Sequence, residues 1–146
     1  MKTKILVLTS CLLITLSSCI SVKLLPDYSE ALEKQIIETQ KLNEKLYTDL
    51  LAKPQDQRSY DSCEKSYLEI ESNINSILFQ NQSRDKNTDF VAMTKILKEK
   101  FNKYKNEHKS KTTPLSDGEI NGYIEYINGF WQPLLTAETV LKNAKK

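Results

Sequence analysis

The apolar residues of this chain fall into one unbroken run near its start and four spaced stripes beyond it. The stripes repeat every three or four positions, the period of one face of an α-helix. The first follows Pro26-Asp27 and comprises Leu32, Ile36, Leu42, Leu46 and Leu50, flanked by Ile37, Tyr47 and Leu51. Asp27 and Glu30 have capping-box spacing, with Asp in place of Ser or Thr, and Pro54 closes the segment. The second stripe is the most regular: Tyr60, Cys63, Tyr67, Ile70, Ile74 and Ile77. Such a seam belongs to a helix lying along a partner at a shallow angle. Residues 81–87 contain no apolar side chain and predict a loop. A third helix is expected from about Thr88, with Phe90, Met93, Leu97, Phe101 and Tyr104 inward and Ile96 beside them. Residues 109–114 are polar and turn-rich, and Ser116 with Glu119 then forms a proper S-x-x-E capping box.

The fourth stripe poses a conflict. Gly129 and Pro133 argue for a break, because Pro133 would clash with the carbonyl four residues before it. Yet Ile120, Ile124, Ile127, Trp131, Leu134, Glu138 and Leu141 keep helical phase straight through both residues. A break need not keep phase. The spacing therefore predicts one long helix kinked near Gly129 and Pro133; two helices with a tight break are the alternative. Four such segments joined by short loops predict an all-α, antiparallel up-down four-helix bundle over residues 27–146. No segment alternates as a strand would.

Composition agrees with a single modest domain. The chain has 146 residues, 3 Gly, 4 Pro and a formal charge of +2. So few Gly and Pro disfavour turn-dense all-β folds, and the small charge gives no reason to expect nucleic acid as a partner. One His and three Cys leave little for a metal site, and no cofactor is expected.

The unbroken run changes how the charge is read. Lys2 and Lys4 precede the mostly apolar residues 5–16. That stretch is short of the ~20 residues a spanning helix needs, and it suits the apolar part of a secretory signal. It ends in Leu16-Ser17-Ser18-Cys19. This motif resembles the lipobox of bacterial lipoproteins, and the resemblance covers residues 1–19 only. It implies that residues 1–18 are removed as a signal peptide, that Cys19 becomes the first mature residue, and that Cys19 carries the lipid. Leu8-Thr9-Ser10-Cys11 has similar letters but almost no apolar run before it. Ile20, rather than Asp, after the lipidated Cys points by the same resemblance to the outer rather than the inner membrane. Residues 19–26 are then a tether, of which residues 20–26 span at most ~25 Å. With Lys2 and Lys4 gone, the mature chain is balanced at 19 basic and 19 acidic side chains.

The charge that remains is sorted by segment. Residues 86–111 carry eight Lys against Asp89, Glu99 and Glu107, a local +5. Residues 56–71 carry a local −3. Lys95, Lys98, Lys103, Lys105 and Lys109 form a candidate basic face toward anionic lipid or an acidic protein; mutual attraction of helices two and three is the plainer alternative. Tyr123, Tyr126, Phe130 and Trp131 crowd one stretch and form a candidate interaction surface, with core filling as the alternative. Cys63 lies on an apolar stripe and is expected in the core, and His108 is expected at the surface near a helix C-terminus. No nucleophile elbow, E-x-x-H motif or phosphate loop is present, so no catalytic residue is assigned.

These features predict a non-catalytic, lipid-anchored helical module of a bacterial envelope. It would bind an envelope or incoming protein, as an accessory subunit of a secretion assembly or an immunity or exclusion lipoprotein does. Two alternatives stay open: a carrier of a small apolar ligand in the bundle core, beside Trp131, and an envelope enzyme with an unrecognised site.

Overall fold

A computed structural model describes residues 25–144. The expected signal segment, the expected lipid site at Cys19 and most of the expected tether lie outside the described residues. Four helices make up the body: α1 (Glu30–Ala52), α2 (Glu64–Gln82), α3 (Thr88–Ser110) and α4 (Asp117–Ala144). Each packs on its neighbours in sequence, and α4 closes back on α1. The architecture is an all-α, up-down four-helix bundle. One end gathers the chain before α1, the α2–α3 turn and the end of α4. The opposite end holds residues 53–63 and 111–116. No helix among the described residues is long and apolar enough to cross a membrane.

The second stripe is buried along its whole length, from Tyr60 to Ile77. Its start differs from a plain helix, because Tyr60 sits in a 3-10 turn (Tyr60–Ser62) and α2 begins only after Cys63. The fourth segment is one uninterrupted helix of 28 residues through both Gly129 and Pro133. Both residues are exposed, so the Gly129 carbonyl that loses its helical donor at Pro133 can turn to water instead. The capping box forms as expected. The Ser116 amide donates to Glu119 Oε2 at 3.0 Å, and the Glu119 amide donates to Ser116 Oγ at 3.3 Å. Leu115 and Ile120, just outside and inside this cap, are both fully buried, the positions of a hydrophobic staple.

Three expectations need correction. Helix α1 is capped by Ser29, whose Oγ accepts from the Leu32 amide at 3.3 Å, and not by Asp27. Its inward face runs Leu32, Ile36, Thr39, Asn43, Leu46, Tyr47 and Leu50, while Leu42 is only partly buried. Thr39 can occupy an apolar face because its hydroxyl donates to the Gln35 carbonyl at 2.7 Å. Residues 81–87 are not a solvated loop: α2 continues to Gln82, and Asn81 and Asn87 are buried. The Asn87 amide nitrogen donates to the Asn81 carbonyl at 2.7 Å, and Asn81 Nδ2 donates to Thr94 Oγ1 at 2.9 Å. These bonds replace the water those amides would otherwise need.

Candidate functional site

The expected surface position of His108 is overturned. The ring lies in the core at the end of α3, 2% exposed. Its Nε2 is 3.0 Å from the Arg58 carbonyl and its Nδ1 is 3.1 Å from the Tyr67 hydroxyl. A carbonyl only accepts, so Nε2 carries the proton and the Tyr67 hydroxyl donates to Nδ1. Tyr60 and Tyr67 stack at 5.5 Å, and both meet the imidazole edge-on. Burial holds His108 below the usual imidazole range, and the Arg58 carbonyl opposes that only in part.

Arg58 belongs to the same assembly. Its guanidinium is buried and donates to the Lys53 carbonyl at 2.8 Å and the Leu51 carbonyl at 3.2 Å, and it pairs with Asp117. It thereby satisfies carbonyls left open at the end of α1 while holding the first turn of α4. Nearby, Lys111 pairs with Glu119. That bond, with the Ser116 amide and hydroxyl, pulls the Glu119 carboxyl down to about 2.

A pH dependence follows from His108. Its folded-state pKa is lowered, so below about 6.5 the unfolded chain takes up a proton that the folded chain refuses. Stability is full above that pH and falls as pH drops toward the folded value, by about 1.4 kcal/mol for each unit over which the buried ring stays neutral. The depressed Glu119 titrates well below this window. Urea midpoints at pH 7.5 and 5.0 should fall further for the native chain than for His108→Gln. Equal falls would show that the ring takes up its proton in place.

Cys63 lies where the second stripe placed it. The thiol is buried and donates to the Tyr60 carbonyl at 3.4 Å. Burial pushes it up to about 11, so it is a protonated packing group at neutral pH. Among the described residues, no group of three or more metal-ligating side chains is placed to hold an ion.

The aromatic cluster of α4 is divided by the fold. Trp131 is wholly buried. Tyr123 packs between Tyr47 and Tyr104, with ring centroids 6.0 and 4.7 Å away. Phe130 is half-buried, and Tyr126 alone of the four is exposed, its ring 6.1 Å from Tyr104. The candidate basic face divides too. Lys105 turns inward to Glu71 of α2 at 2.8 Å, whereas Lys95, Lys103 and Lys109 are exposed and Lys98 is partly so. Lys103 pairs only within α3, with Glu107 at 3.8 Å.

The end of the bundle that holds the start of α1 contains a buried ion pair for which no partner was assigned from sequence. Glu138 is fully buried, and Arg84 reaches its Oε1 at 2.5 Å. Arg84 also donates to Asn81 Oδ1 at 3.2 Å and to the Asp27 carbonyl, and lies 5.3 Å over the Phe90 ring. One guanidinium thus joins the chain before α1, the α2–α3 turn, α3 and α4. Glu138 on an apolar stripe was the available signal, since an enclosed carboxylate calls for a cation. A cleft of about 260 Å³ lies alongside, lined by Leu25, Pro26, Asp27, Arg84, Asp85 and Lys86. Two further grooves, of about 310 and 110 Å³, run between α1 and α2 past Leu46, Asp49 and Ser66.

The fold defines this chain as an up-down helical bundle with a buried histidine at one end and a buried arginine–glutamate pair at the other. No family model matches it, and no curated protein or solved structure matches it either.

Proposed function

We propose that the chain is a lipid-anchored, non-catalytic helical module of a bacterial cell envelope that binds a protein partner close to the bilayer. The observation that carries this is the Leu16-Ser17-Ser18-Cys19 motif behind two lysines and a short apolar run. Acyl chains on Cys19 would bury enough methylene to hold the body durably, at ~0.8 kcal/mol per CH₂. The described body supports a binding role over a carrier role. Trp131 is fully enclosed, and the clefts described above are open grooves lined by other residues. The buried thiol and the buried imidazole each have a structural task, which favours a non-catalytic reading.

Cys19→Ala tests the anchor. The native chain, grown with labelled palmitate, should carry label and lose residues 1–18; the variant should carry none and stay uncleaved. Labelled variant protein would sink the proposal. Pull-down from native membranes under gentle detergent should recover a defined protein in fixed ratio, and recovery of the chain alone would count against a partner.

A further inference from the structure

The exposed large apolar side chains of the helices are not scattered. Leu68, Phe79, Ile96, Tyr126 and Val140 are each between 46% and 71% exposed, and none belongs to α1. Glu71 marks the flank of α2 that faces α3, through its bond to Lys105. Leu68 lies three residues before Glu71 and Phe79 eight after it, so both point outward on the α3 side of α2. Tyr126 marks the flank of α4 that faces α3, through Tyr104. Val140 follows two heptads later on the same side, with exposed Pro133 between. Ile96 is on α3 itself. All five therefore border the outer face of α3.

That face is also the basic one. It presents Lys95, Lys98, Lys103 and Lys109, which outnumber its exposed Asp89 and Glu99, while Glu107 pairs with Lys103. Lys95 and Lys98 form no ion pair among the described residues. Apolar side chains rimming a row of lysines are the composition of a surface that rests in a headgroup layer. By contrast, the outer face of α1 is polar and carries both signs, with Lys34–Glu38 and Lys45–Asp49 paired along it.

The chain's exit point favours the same side. Although α1 lies diagonally across the bundle from α3, the segment before α1 is drawn over to the α2–α3 turn. Arg84 holds the Asp27 carbonyl, and Leu25 shares a cleft with Asp85 and Lys86. From Leu25 back to Cys19 there are six residue steps, a reach of at most ~22 Å. A lipid on Cys19 would therefore lie within that reach of the α2–α3 turn, at the end of the bundle where α3 starts.

We propose that the α3 face, rimmed by Leu68, Phe79, Ile96, Tyr126 and Val140, seats on an anionic lipid surface. This rests on the anchor reading for its proximity argument, while the face itself is read from the bundle. The seat leaves the α1 side and the α1–α2 grooves turned to water for a protein partner.

Tryptophan reporters test it in the full chain, with the buried Trp131 as a constant background. Phe79→Trp, Ile96→Trp and, on the opposite side, Lys41→Trp are reconstituted into brominated phosphatidylcholine vesicles with and without phosphatidylglycerol. Quenching should be several-fold stronger at 79 and 96 than at 41 and should deepen with phosphatidylglycerol. Lys95→Glu with Lys98→Glu, added to the Phe79→Trp chain, should abolish that deepening. Equal quenching at all three sites overturns the proposal, and so does quenching that ignores both the anionic lipid and the charge reversals. The mass of the N-terminal fragment reports Cys19 acylation separately. An unmodified fragment sinks the anchor, and the difference between 79 and 41 still decides the seat.

Discussion

Replacing Arg84 with alanine should destabilise the bundle by about 3–5 kcal/mol, the cost of leaving a buried charge without its partner. Glu138 has no exposed surface, and its Oε2 already lacks a hydrogen bond. Without the guanidinium its Oε1 would lose its donor too. The Asp27 carbonyl and Asn81 Oδ1 would also lose a donor. The pair itself need not be stabilising, because enclosing two charges costs about as much as their attraction returns. Arg84→Met combined with Glu138→Leu should therefore recover most of the loss. Urea denaturation followed by circular dichroism measures both. An Arg84→Ala chain within about 1 kcal/mol of the native one would mean that water or a proton reaches Glu138 at little cost.

Trp131→Ala should cost a similar amount, about 3–5 kcal/mol, by opening a cavity in the middle of α4. Trp131 heads the fully buried side chains by volume. It is part of the one buried core of the bundle, and the residues around it can collapse only in part. Trp131→Phe should be much milder. The indole Nε1 is buried without a hydrogen-bond partner, so removing it relieves a polar group while keeping most of the apolar volume. The ratio of the two losses is the diagnostic result. Comparable losses would mean that Nε1 holds a bond that matters more than its ring.

What the sequence revealed, and what it hid, divides by chemistry. The seam of α2 and the continuity of α4 were readable because their inward residues are apolar and periodic. The inward face of α1 was misjudged in its middle, since Thr39 and Asn43 hold core positions that pattern alone assigns to water. His108, Arg58 and Arg84 escaped for a different reason. Each is buried by partners far away in the chain: His108 by Tyr67 and Arg58, Arg84 by Glu138. Local spacing carries no trace of such bonds. Glu138 was the exception, visible as a carboxylate in phase with leucines, although its cation was not. The crowding of aromatics in α4 was visible as well, but spacing did not tell Tyr126 from Trp131 in exposure.

The grip of Arg84 also decides how the body meets a pull. Tension arriving along the chain before Leu25 enters at Asp27, whose carbonyl is tied to the α2–α3 turn and, through the same guanidinium, to α4. One turn further on, Glu33 is tied to Lys142 of α4 at 2.9 Å and to Tyr28 at 2.6 Å. Peeling α1 from its start would therefore have to break bonds to α4 and to the α2–α3 turn within its first turns. The load would spread across several elements at once, an arrangement that would suit the body if it is held by its leading end, as proposed.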